Sequence, residues 1–154
     1  MKTKPLLLLA TILVILVAGS APQAATAGDA VVPFKASYIP EPKIVGMVNG
    51  CLQQQLPAKG QATHLGESAF YSDAQACMNG VQTGTMEFTA ANGDKLFGYF
   101  EGTHAGYPGT VEFVGTFWIT GGSGRFEDVT GTGAYWGKSG VGIHELYFDG
   151  KLFK

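Results

Sequence analysis

From Val31 onward, glycine and turn residues cut the chain every 8 to 15 positions into short runs of β-branched and aromatic side chains. That punctuation belongs to an all-β barrel or sandwich. The pattern predicts strands over Val32–Tyr38, Ile44–Leu52, Ala62–Phe70, Gly84–Ala90, Leu96–His104, Thr110–Thr120, Gly131–Trp136 and Val141–Leu152. Eight such runs suffice to close a barrel. Only Ser72–Asn79, around the second cysteine, reads as helical or irregular.

The strongest local signal is Ala91-Asn92-Gly93-Asp94, because Asn-Gly accepts the positive φ values of tight hairpin turns. A two- or four-residue loop there sets Ala90 opposite Lys95, Phe88 opposite Phe97 and Met86 opposite Tyr99. That face continues to Glu101 and is the expected interior, leaving Leu96 and Phe100 outside. In the next strand Phe113 and Phe117 are the expected interior pair. In the last, His144 shares a face with Leu146, Phe148 and Leu152. The apolar residues left outside, Phe100, Val114, Trp118 and Tyr147, suggest self-association as a dimer or trimer, with scattered exposed aromatics as the plain alternative.

Residues 1–27 follow a different pattern. Lys2 and Lys4 precede an apolar run, Leu6–Ala10 and Ile12–Ala18, which gives way to small residues ending Ala25-Thr26-Ala27. This is the pattern of a cleaved secretory leader, so a β domain of 127 residues is expected over 28–154, in the periplasm or secreted from a bacterium. The run is short for a membrane span and no second one follows. The domain then holds all 18 aromatics of the 154-residue chain but only six Leu and four Ile. Its 8 basic residues against 12 acidic ones argue against nucleic acid or an anionic membrane as partner.

Cys51 and Cys77, 26 positions apart, are expected to pair in an oxidising compartment, a bond worth roughly 3–4 kcal/mol in the chain-entropy model. Neither belongs to a Cys-x-x-Cys motif or lies at zinc spacing from a histidine. His64, His104 and His144 share no metal spacing, and no cofactor motif is present. Gly137-Lys138-Ser139 lacks the glycine a phosphate loop needs at Thr132, and Ser123 lacks the flanking pattern of a nucleophile elbow. Glu101 and His144, if both inward, form a candidate acid–base pair of the kind an isomerase uses. The plain alternative is a hydrogen-bonded polar pair. Arg125 reads as a turn residue, and His64 as a structural histidine.

The segment Phe117-Trp118-Ile119-Thr120-Gly121-Gly122-Ser123-Gly124-Arg125-Phe126, with Gly60–Gly66 and Phe88–Leu96, resembles the allene oxide cyclase and dirigent barrel superfamily, most of all its small exported bacterial members. The resemblance implies an eight-stranded antiparallel barrel with an apolar interior, often trimeric in plant relatives. Gly121, Gly122 and Gly124 would make a tight crossing at one barrel end, with Phe126 as its plug. The cyclases' glutamate has no clear counterpart, since Phe34–Val48 offers only Glu41 between two prolines, and neither have the dirigents' acidic and arginine pocket residues.

The expectation is therefore an exported barrel holding a small apolar or amphipathic molecule among Phe88, Phe97, Tyr99, Phe113 and Phe117, without metal or cofactor. A cofactor-free isomerase or cyclase using Glu101 with Tyr99 or His144, and a filled barrel that works through its outer surface, are the alternatives.

Overall fold

The computed structural model describes residues 30–106 and 109–154; the leader expected over 1–27 lies outside them. Ten antiparallel strands follow in order: β1 (Val31–Pro40), β2 (Lys43–Val48), β3 (Cys51–Gln55), β4 (Ala58–Ala62), β5 (Gly66–Cys77), β6 (Val81–Ala90), β7 (Lys95–Ala105), β8 (Thr110–Ser123), β9 (Thr130–Gly140) and β10 (Ile143–Phe153). Eight of them close a barrel in the order β1-β4-β5-β6-β7-β8-β9-β10. The seam pairs β1 with β10, and Ala30 and Lys154 exchange backbone hydrogen bonds of 2.9 and 3.2 Å beside it.

β2 and β3 are a hairpin that carries the wall beyond the ring. Pro40 and Pro42 interrupt one strand, and Leu56-Pro57 interrupts its partner at the same level, because proline cannot donate to a sheet ladder. The freed amides find other acceptors: Glu41 N–H bonds to Pro57 O at 2.8 Å, and Leu56 N–H to Ser72 O at 2.9 Å. The run expected as one strand over Ile44–Leu52 is therefore two, turned at Asn49-Gly50, both of which have positive φ. Likewise Ala62–Phe70 contains a turn, with His64 at φ 67° and its Nε2 bonded to Pro33 O.

The stretch expected to be helical or irregular is the second half of β5. Its inward residues Phe70, Ser72 and Ala74 are buried while Tyr71, Asp73 and Gln75 face water, the period of two that defines a strand. β3 pairs with this half, and the disulfide joins the directly opposed Cys51 and Cys77.

One end of the barrel is plugged. Leu65, Ala90, Leu96, Phe126, Val129 and Leu152 are buried there, with Phe126 on the short 3-10 turn that follows the glycine crossing. Arg125 holds this turn through Asp94 at 3.5 Å and His64 O at 2.8 Å. Above the plug, Phe34, Phe88 and Phe117 are fully buried, and Phe148 meets Phe88, Phe117 and Phe70 at ring separations of 5.1, 5.4 and 5.5 Å.

Glycines make room for these rings. Tyr135 on β9 lies across Gly115 of β8 and Gly102 of β7, its neighbours along one row of the sheet, and reaches Gln82 on β6. A methyl group on Gly115 would come 2.6 Å from its ring, and one on Gly102 would meet its hydroxyl. Phe117 rests on Gly133 and Gly150 in the same manner. Many of the 23 glycines thus serve packing, a use distinct from the turn positions.

Candidate functional site: the open end of the barrel

The Asn92-Gly93 turn decides which residues face in. The loop is neither two nor four residues but three, Ala91–Gly93: Gly93 N–H bonds to Ala90 O, Ala90 N–H to Asp94 O, and Gly93 has φ 90°. This is a type I turn closed by a left-handed glycine, and the odd loop length slips the pairing by one residue. Phe88 therefore faces Leu96, and Glu87 faces Phe97. A slip of one exchanges the two faces of a strand. Leu96 and Phe100 are inside, contrary to the sequence reading. Phe97 and Tyr99, expected in the interior, are 38% and 42% exposed on the outside, and Glu101 is exposed with them.

Of the other residues expected to line a cavity, Phe88 and Phe117 point inward but are sealed in the packed half. Phe113 alone reaches open space. His144 keeps the parity of Leu146 and sits at the rim, its Nδ1 3.1 Å from Ser139 Oγ. Glu101 and His144 thus lie on different faces, and the acid–base pair expected from the sequence does not form. The reason is the same slip.

The end opposite the plug holds a cavity of about 470 Å³, within the range of small-molecule sites. Phe70, Phe100, Phe113, Tyr135 and Phe148 form its floor, Ala74 and Ala76 its thin wall, and Ile44, Met47 and Leu52 of the β2–β3 hairpin its raised rim. Small side chains on the upper half of β5 leave this space; larger ones below fill the barrel.

The polar groups here are few. Gln82 Nε2 lies 2.7 Å from the Tyr135 hydroxyl. His104 Nε2 donates to Cys77 O at 3.0 Å, since a carbonyl only accepts. Burial pushes the Tyr135 phenol up to about 12, against the opposing effect of the Gln82 hydrogen bond, so it is protonated at neutral pH. Among the described residues no Lys, Arg, Asp or Glu is in the lining. Gln82, His104, Phe70, Phe100 and Tyr135 were not among the residues expected from the sequence. The alternation in Glu67–Cys77 was the available signal for Phe70, whereas Gln82 is marked by nothing local.

Outside the barrel, Tyr99 stacks on Trp118 at 5.0 Å and Trp136 on Tyr147 at 5.9 Å, as cross-strand neighbours. Val114 beside Trp136 is exposed. Among the described residues no three His, Cys, Asp or Glu side chains converge as a metal site, and no helix is long and apolar enough to cross a membrane.

Fold and cavity together define a small closed β-barrel with one plugged end and one open, apolar end. No family model matches the chain, and neither a curated protein nor a solved structure matches it significantly.

Proposed function

We propose that this is an exported barrel protein that takes a small apolar or amphipathic molecule into its open end. The observation that carries the reading is the 470 Å³ cavity over an aromatic floor, with few polar groups and no fixed charge among the described residues of its lining. Burial of apolar surface supplies the affinity, and the disulfide beside the turn of the raised hairpin ties the rim to the end of β5. Export rests on the leader pattern and accords with a disulfide. The closed ring and the plug on the glycine crossing support kinship with the allene oxide cyclase and dirigent barrels. An isomerase of the cyclase type has lost its proposed Glu101–His144 pair.

The test is titration with N-phenyl-1-naphthylamine, an uncharged dye that fluoresces in apolar surroundings. Saturable, one-to-one enhancement is expected, and Ala74→Trp, which fills the cavity from its thin wall, should abolish it. Absence of saturable enhancement, or its persistence in Ala74→Trp, refutes the reading.

The stacked outer pairs favour a second reading, self-association through this face. Native mass spectrometry should then find a dimer or trimer that Trp118→Glu separates; a monomer at micromolar concentration argues against it.

A further inference from the structure

The cavity contains a hydrogen-bonding pair with donors to spare. Gln82 and Tyr135 both line it, and their contact uses one donor and one acceptor. With the amide nitrogen as donor, the tyrosine proton is left without an acceptor. With the amide turned round, the tyrosine donates to Oε1 and both amide protons are left. In either arrangement at least one donor is left without a protein partner, since the bond between them is the only hydrogen bond these two side chains make among the described residues.

Three classes of guest meet these donors differently. A hydrocarbon satisfies the rings but leaves the donors unpaired, which is unfavourable in a buried setting. A carboxylate supplies acceptors but gives up its hydration where no lysine or arginine of the described residues faces it. An uncharged molecule with one acceptor oxygen meets both conditions. We propose that the cavity selects uncharged, ring-bearing molecules with a carbonyl or ether oxygen, and that this oxygen seats on the Tyr135–Gln82 pair. The proposal rests on the ligand-binding reading above and assigns its specificity.

The experiment is displacement of N-phenyl-1-naphthylamine at about pH 8, where an ordinary histidine is neutral. The competitors are benzophenone, diphenylmethane and 4-benzoylbenzoate. Benzophenone should act at about tenfold lower concentration than diphenylmethane, the change expected of one buried hydrogen bond, with the carboxylate weakest. In Tyr135→Phe/Gln82→Met, which removes both partners together, the preference for the ketone should shrink to about twofold or less while diphenylmethane still displaces the dye. Should that variant not fold, Tyr135→Phe alone keeps the ring and serves the same comparison. Equal displacement by ketone and hydrocarbon, or a preference unchanged by the substitutions, overturns the proposal and leaves the cavity reading standing. Failure of the dye to bind overturns both.

Discussion

Replacing Cys51 and Cys77 together by serine removes the link between β3 and β5. The bond closes a loop of 26 positions, and loop-closure entropy gives that cross-link ~3.5 kcal/mol at room temperature. For a domain of this size a kcal/mol corresponds to about 3–5 °C of melting temperature, so the variant should melt roughly 10–18 °C lower. Circular dichroism measures the melt, and hydrogen exchange shows where stability is lost. Because the bond acts mainly on the unfolded chain, protection should fall in β6–β9 as much as in the hairpin it tethers. A melting point within about 3 °C of wild type, with faster exchange confined to β2 and β3, refutes the reasoning. The bond would then pin only the rim.

Three further outcomes are expected. Phe148→Ala, which removes the ring touching Phe70, Phe88 and Phe117, should cost about 4 kcal/mol in urea unfolding; a loss under about 1 kcal/mol means the barrel interior is not packed as described. Burial pushes the Tyr38 and Tyr135 phenols up to about 12. An unfolded chain releases these protons near 10, so this contribution is intact below about pH 10 and is lost as pH rises toward about 12. Urea midpoints at about pH 9 and about pH 11 should therefore diverge, and by as much in Tyr38→Phe/Tyr135→Phe only if the mechanism is wrong. Glu101→Gln should leave stability within about 0.5 kcal/mol and dye affinity unchanged, because its carboxylate faces water; a clear loss of binding places it at the site after all.

The closed all-β ring was legible in the sequence because spacing and strand-forming residues act locally. So was the disulfide, as was Phe126 as plug. The interior of β7 was not. Both candidate loop lengths at Asn92-Gly93 were even, the actual one is odd, and nothing within the strand itself marks the slip, since apolar residues occur at both parities from Leu96 to Phe100. Prolines were visible, but their effect of splitting two strands at one level depends on their meeting across the sheet. The cavity depends on a still longer-range relation. Tyr135 reaches Gln82, 53 positions away, over two glycines that look like weak strand residues until the neighbouring ring is known.

The seam between β1 and β10 has a consequence for how such a chain comes to be folded and handled. Val31 faces Phe153, so the ring cannot shut before nearly the whole chain is available. Until then it is an open curl with a bare strand edge, and contacts so distant in sequence form slowly. A chain of this topology therefore seals only after its last strand is in place. Ala30, the first described residue, and Lys154 lie side by side next to the plug, away from the mouth. A tag, a tether or a sensor surface attached beside Lys154 leaves the mouth open to the solution.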